Sequence, residues 1–415
     1  MRSFRLFIGV IGLTFLAGVA AQAAELTLDD CINLALKNRE SIIRARGAEE
    51  LAKMGKWAAL GAFLPTVQAS YDYDRQDIDG TASSTRGGQI GAEIRVSNVV
   101  RSALGISAAS SEHSAAKLDV IASEQDLIYA VKVSYYGYLA DVQNVSVLEE
   151  AVKRSEEQLK LIQSKFDLGS ASKSDVLKQK VQSGNDRLEL LRAKNSVTTA
   201  VSELAYTIGV DPHGDWQFSS KYSIRTFEGT LDSAIAYGLT HRPSVLSLEK
   251  NLKSAKVGFT SAKSDYLPTL SVNTGWQRVM PDHGASSTVK SYGYGVSWTL
   301  FDGFNREQNY VGAKVAKNNT MASLADARNR MISDVTATYL QINLLKEQKS
   351  VAEENVAAAT EDLKITQEKY NLGAATILDL LDAQVSLKRA EVSRISADFD
   401  LNLAISKLEQ SMGKI

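Results

Sequence analysis

Apolar residues recur at helical spacing along most of the chain and alternate with polar ones in only four short runs. Helical periodicity runs from Leu28 to Leu60 and stops at Pro65; Pro243 opens the matching helix further on, and Pro268 stops that one. Behind each proline the period changes to two. Val67, Ala69, Tyr71 and Tyr73 alternate with polar residues, as do Leu270, Val272 and Thr274 before Trp276. The Gly/Ser/Asp-rich stretches Asp77–Gly88 and Pro281–Thr288 predict loops, after which Ile90–Val96 and Tyr292–Leu300 alternate again. Each strand pair leads into a proline-free helical stretch, Asn98 to Asp167 and Phe304 to Asn371. The first would be about 105 Å long at 1.5 Å per residue. No compact core needs such a helix; a bundle crossing a wide space does. Val142, Val145, Val152, Leu159, Ile162 and Phe166 are spaced by threes, fours and sevens, and Leu378, Leu381, Val385, Val392, Ile395 and Phe399 repeat that spacing on the last helix. Both sets predict coiled-coil seams.

The pattern is written twice. Phe63-Leu64-Pro65-Thr66 returns as Tyr266-Leu267-Pro268-Thr269, displaced by 203 residues, and Lys165-Phe166-Asp167-Leu168-Gly169 returns as Lys369-Tyr370-Asn371-Leu372-Gly373, displaced by 204. A period near 200 residues is far too long for a solenoid, so the chain holds two copies of one large unit. We divide it into a signal peptide over 1–23, a first repeat over 24–210, a connection over 211–228 and a second repeat over 229–415. The predicted fold class is mainly α with a small β part.

The amino terminus sets the compartment. Arg2 and Arg5 precede an apolar run from Leu6 to Val19, and Ala21-Gln22-Ala23 has the small-x-small cleavage pattern of a secretory signal. The run is short for an uncleaved anchor, which needs about 20 residues. Cys31 follows Leu28, Asp29 and Asp30, a poor setting for lipidation, and it is the single cysteine, so no internal disulfide forms. Losing Arg2 and Arg5 takes the formal charge from −1 to −3, with no basic stripe for nucleic acid. His113, His213, His241 and His283 stand apart, and no phosphate loop or nucleophile set is present. The reading is of a protein that is not an enzyme and carries no cofactor or metal.

Beyond the signal there is no apolar stretch long enough for a spanning helix. An exported chain of this kind crosses a membrane only as a closed β-barrel, because unpaired backbone in lipid is too costly. Four strands are too few, since about eight are needed to close a barrel. Copies must therefore associate, and strand arithmetic alone permits dimers, trimers or tetramers.

The chain resembles the TolC-like outer-membrane efflux family over essentially its whole mature length. The resemblance rests on the duplicated layout, the Leu26-Thr27-Leu28-Asp29-Asp30 opening and the two Leu-Pro-Thr junctions at Pro65 and Pro268. It rests also on Trp298-Thr299-Leu300-Phe301-Asp302-Gly303 and on Tyr370-x-x-Gly373 followed by Asp379. It implies a homotrimer whose strands form one transmembrane β-barrel continued by a periplasmic α-helical barrel. It implies partners as well: outer-membrane lipid, a periplasmic adaptor and an inner-membrane pump. Such a protein is the passive exit duct of a tripartite efflux or type I secretion system. The first copy departs from the family at Ser97-Asn98-Val99-Val100, where Phe-Asp-Gly is usual.

Gly169 and Gly373 end the long helices, as positive-φ stops. Ser172-x-x-Asp175 and Thr376-x-x-Asp379 then read as capping boxes, which leaves Asp382 outside any cap although it shares a helix face with Asp379. The resemblance assigns these residues a further role. It places Asp379 and Asp382 in acidic rings at the closed periplasmic end of the pore. It makes Tyr370 and Asp175 a pair tying the helices shut, and Ser174 the partner of an arginine that is Ala375 here. The turns at Gly169 and Gly373 would be the adaptor-docking tips. The competing reading of the whole chain is a periplasmic coiled-coil adaptor or scaffold without a pore, which leaves the strand pairs unexplained.

Overall fold

The structure, a computed structural model, describes residues 25–78, 81–281 and 284–415, so the signal peptide and His283 lie outside the described residues. The first copy consists of α1 (Leu28–Asn38), α2 (Glu40–Gly61), β1 (Thr66–Ile78), β2 (Thr81–Val96), α3 (Val99–Asp167) and α4 (Lys173–Ile208). The second repeats the order as α5 (Leu231–His241), α6 (Pro243–Ser264), β3 (Thr269–Pro281), β4 (Ser287–Ser297), α7 (Asn305–Asn371) and α8 (Ile377–Met412). Helices α3 and α7, of 69 and 67 residues, are each about 100 Å long.

Four sequence expectations need correction. The helix expected from Leu28 to Leu60 is two helices. Arg39 adopts extended backbone (φ −70°, ψ 131°) between α1 and α2, held by its guanidinium on the Tyr206 carbonyl at 3.0 Å. Arg242 breaks the second copy in the same way, just before Pro243. The loop expected over Asp77–Gly88 is mostly strand: β1 and β2 stay paired out to Ile78 opposite Thr81, because backbone pairing continues through Ser and Thr as readily as through apolar residues. The second loop shrinks likewise, since β3 reaches Pro281 and β4 begins at Ser287. At its far end β4 stops at Ser297, short of Leu300; Arg306 instead clamps the Thr299 and Leu300 carbonyls at 2.9 and 3.0 Å.

The fourth correction concerns the seams. On α8 the packed residues near the tip are Ile377, Leu380, Ala383 and Leu387, whereas Leu378 is 54% exposed. On α3 the buried line is Leu148, Ala151, Ser155, Gln158 and Ile162, so only Ile162 of the expected set is fully buried there.

The helices pack side by side in a layer. In the lower half α3 packs on α4 and α8, and α8 on α7, so α4 and α7 are the flanks; in the upper half the order is α2, α3, α6, α7. The core runs as separate clusters along this layer. One surrounds Cys31, Val131, Tyr135 and Leu139, a second Met331, Val335 and Ile405, and a third closes the tip with Ile162, Val176, Ile377 and Leu380. Leu26 pairs in parallel with Phe218, which ties the start of the first copy to the connection between copies, and Tyr135 and Tyr138 donate to the Ser219 and Phe218 carbonyls at 2.8 and 3.1 Å.

Candidate functional site: an amphipathic sheet and paired helical tips

The four strands form one antiparallel sheet in the order β1-β2-β3-β4. Its register sorts the side chains by chemistry. Val67 lies opposite Ala92, Ala92 opposite Trp276 and Trp276 opposite Lys290; two steps along, Ala69, Ile90 and Arg278 line up. Because alternate residues share a face, one face carries Val67, Tyr71, Ile90, Val272, Trp276 and Tyr294. The other carries Gln68, Gln89, Glu93, Arg95, Asn273 and Gln277, and most of these line the concavity of the sheet. On that polar side Gln277 donates to Gln89 at 2.6 Å, and the Arg95 guanidinium pairs with Glu93 at 2.8 Å. The polar face is also crowded. A Cβ on Gly293 would meet Asn273 Oδ1 at 2.9 Å, and one on Gly295 would meet Ser271 Oγ at 2.9 Å. Glycine there lets the sheet curl toward its polar side.

Pro65 and Pro268 sit where helix gives way to strand in each copy. The threonine behind each continues the match. Thr66 Oγ1 donates to the Glu93 carbonyl at 3.0 Å, and Thr269 Oγ1 to the Ser297 carbonyl at 3.1 Å.

At the opposite end the two helical turns are built alike. Gly169 (φ 77°) and Gly373 (φ 76°) take the left-handed conformation. The next N–H bonds five residues back, Ser170 to the Lys165 carbonyl at 2.7 Å and Ala374 to the Lys369 carbonyl at 2.8 Å. These are helix stops of the kind glycine favours. A Cβ at either glycine would meet nothing within 4 Å, so it is the backbone conformation, and not space, that calls for glycine.

Both capping boxes form. Ser172 N donates to Asp175 Oδ2 at 3.0 Å, and Asp175 N to Ser172 Oγ at 3.1 Å. The Thr376 N–H and hydroxyl both donate to Asp379 Oδ2 at 2.7 Å, and these bonds hold the Asp379 carboxyl below the usual carboxylate range. Asp382 lies on the exposed side of α8 with Asp379, away from Ile377, Leu380 and Ala383, and makes no hydrogen bond or ion pair among the described residues. Tyr370 packs into the tip cluster beneath the Lys165 ammonium, 4.7 Å from its ring. Burial pushes its phenol up, and the charge of Asp175 pushes it further. The two residues are thus neighbours, although no hydrogen bond joins them. Ser174 is exposed beside Leu177, Lys178 and Leu381.

The sequence model that describes outer membrane efflux proteins matches residues 31–210 and again 236–414, once in each copy. The chain belongs to that family. It is 20% identical over 408 residues to the outer membrane efflux protein BepC of Brucella suis, covering 97% of this chain and 88% of that one. It is 22% identical over 405 residues to outer membrane protein TolC of Vibrio cholerae, covering 94% and 91%. Among solved structures, the CmeC outer membrane channel of Campylobacter jejuni superposes with a TM-score of 0.81 at 18% identity, covering 93% of this chain and 85% of that one. The fold is that of the TolC-like channels, and the place of this efflux protein is the outer membrane.

Two features of the efflux protein were invisible to pattern reading. The first is a set of ion pairs, centred on the buried Asp186, that join the copies. Lys388 of α8 reaches Asp186 at 2.9 Å and Glu189 at 2.7 Å on α4, and Arg154 of α3 reaches Glu391 at 3.4 Å on α8. Burial alone would lower the Lys388 ammonium, but its bonds to Glu189 and Asp186 outweigh burial and hold its pKa above the ordinary lysine value. The second is a further apolar stripe on each flank. On α4 it is Leu177, Val181, Leu188 and Leu191, and on α7 it is Leu340, Leu344, Val351 and Ile365. At 3.6 residues per turn these stripes lie roughly opposite the packed faces of the same helices. Among the described residues no other element covers them.

Proposed function

We propose that this family member is the outer-membrane exit duct of a tripartite efflux or type I secretion system, working as a homotrimer. The observation that carries the reading is the open sheet. It is apolar on one face, polar on the concave face, and unpaired along both β1 and β4. In lipid such edges must be satisfied. Copies of the chain satisfy them by joining β4 of one to β1 of the next, with apolar residues outward and the polar, glycine-thinned face lining a pore. The flanks support the same ring, since α4 of one chain offers the α7 stripe of its neighbour a matching surface. Three copies give twelve strands and an α-barrel of long helices beneath them.

The tips are the docking surface for a periplasmic adaptor that connects the duct to an inner-membrane pump. Gly169→Leu combined with Gly373→Leu costs about 1–2 kcal/mol per turn through the left-handed backbone alone, too little to unfold helices of this length. We expect these trimers in the membrane in normal amounts while export of pump substrate falls at least tenfold. Normal export with both substitutions in place would mean that the adaptor grips the duct elsewhere. The pore closes at the same end, where Asp379 and Asp382 of three chains form acidic rings and the Tyr370–Asp175 contact holds the second helical pair against the first. With Ala375 in the place of an arginine, Ser174 contributes no tie to that closure.

A further inference from the structure

We propose that the outward face of the sheet carries a belt of cations that binds the phosphate groups of the outer-leaflet glycolipid. The sheet register places Arg75 of β1, Arg86 of β2, Arg278 of β3 and Lys290 of β4 all on the apolar face, one to each strand. The duplication repeats them in kind. Arg75 and Arg278 are 203 residues apart, and Arg86 and Lys290 are 204 apart, the same displacements that relate the two Leu-Pro-Thr junctions and the two tips. Toward the helices, every outward position below these four is uncharged: Val67, Ala69, Tyr71 and Tyr73 on β1 and Leu270, Val272, Thr274 and Trp276 on β3 are representative. The charge boundary is therefore sharp on every strand and falls at the same strand position in both copies.

That position along each strand matches the edge of a membrane. Arg75 and Arg278 each stand nine residues beyond the first residue of their strand. Nine steps of about 3.4 Å on strands tilted about 40° rise about 23 Å, close to the height of about 25 Å for the apolar band of an outer-membrane barrel. Directly below the cations come aromatic rings, as expected at the interface: Tyr73 under Arg75, Trp276 under Arg278 and Tyr292 under Lys290. The Arg86 guanidinium lies 5.1 Å from the Tyr73 ring, and Arg278 Nη2 donates to Ser286 Oγ at 3.4 Å.

Charge sorting points to the occupant. Outward the sheet presents four cations against one carboxylate, Asp77, whereas its polar face carries Asp72, Asp74 and Glu93 against Arg95. A trimer brings twelve such cations to one ring facing lipid, at the strand ends remote from the helices, which in the outer membrane is the outer leaflet. The headgroup there is a phosphorylated diglucosamine. Its phosphates match guanidinium forks with fixed geometry, and its acyl chains match the aromatic and aliphatic band below. The proposal rests on the barrel reading, and its test keeps the two apart.

The experiment uses the full-length assembled protein in lipid nanodiscs of phosphatidylcholine doped with one test lipid, with retained lipid counted by native mass spectrometry. The test lipids are the bisphosphorylated diglucosamine lipid, the same lipid with both phosphates removed, and phosphatidylglycerol. Wild type should retain the bisphosphorylated lipid at least tenfold better than either of the others. Arg75→Gln/Arg278→Gln/Lys290→Gln should lose that preference, and Arg75→Lys/Arg278→Lys should keep most of it. Equal retention of the dephosphorylated lipid or of phosphatidylglycerol by wild type would overturn the belt, as would an unchanged preference in the triple variant. Should the triple variant not assemble, the wild-type comparison decides alone. Conductance in phosphatidylcholine membranes reports separately on the barrel, so a functioning pore without lipid preference rejects only the belt.

Discussion

Leu344→Asp should leave the chain folded but unassembled. Leu344 is 50% exposed within the chain and lies in the α7 stripe with Leu340, Val351 and Ile365, roughly opposite the buried Ile342 and Leu345 line. A helix bordering solvent has no use for a second apolar stripe, but a helix in a closed ring of helices needs one on each side. A carboxylate placed in that seam is buried without a partner, which costs roughly 3 kcal/mol or more at each contact. A cost of that size weakens each contact by about 100-fold. Leu344→Ala removes contact without adding charge and should weaken assembly far less. Helix content measured by circular dichroism should stay near wild type in both variants, while light scattering of the Asp variant should report single chains. An Asp variant that assembles like wild type would show that the α7 flank faces water or the pore, and the ring as drawn would be wrong.

Lys388→Met should destabilise the assembled protein by about 3 kcal/mol per chain and loosen the helical packing toward the tips. Asp186 is buried, with its side chain 5% exposed, and depends on the Lys388 ammonium and on Gln182, which donates at 3.1 Å. Removing the cation strands a buried carboxylate, the costly way to break a buried pair. Replacing the group as a whole, with Lys388→Met, Asp186→Leu and Glu189→Gln together, should recover most of the loss, because apolar residues of similar volume serve as well in such sites. The consequence for function follows from position. Lys388 bonds the last helix of the second copy to α4 of the first, so the single substitution weakens the join between the two helical pairs, which the Arg154–Glu391 pair and the apolar tip cluster still hold together. Urea unfolding of the three proteins tests the energetics. A triple variant no more stable than Lys388→Met would show that the ion pair itself, and not the stranded charge, carries the stability.

Much of this molecule is visible in its sequence, and what is hidden has definite physical causes. Pro65 and Pro268 mark the helix-to-strand junctions because proline cannot continue a helix beyond its first turn. The two tips are legible because Gly169 and Gly373 each precede a capping box. The break at Arg39 is not, since Asn38-Arg39-Glu40 contains no breaker; tertiary contacts from Arg39 to Tyr206 impose it, and only Pro243 betrays its counterpart. The expected seam on α8 holds at Ile395 and Phe399 but misses at its tip end, because the helix carries two apolar stripes and a single periodicity merges Leu378 of the outer one with Ile395 of the inner. Lys388 and Asp186 are 202 residues apart, and no local pattern joins charges across that distance. The acidic pair Asp379 and Asp382 was legible as a pair on one face. The structure adds that Asp379 is engaged in its cap whereas Asp382 is unengaged, which makes Asp382 the residue that separates a pore role from a capping one.

Planar-bilayer recording of the purified protein, wild type beside Asp382→Ala, tests the account most directly. In the proposed trimer, three exposed Asp382 carboxylates around a constriction would focus a negative field that favours cations. Both proteins should show discrete single-channel conductance, with a cation-selective reversal potential in asymmetric salt for wild type and a shift toward zero for Asp382→Ala. Absence of conductance from a correctly assembled wild-type protein would contradict the duct itself, and identical reversal potentials for the two proteins would remove the acidic ring from its mouth.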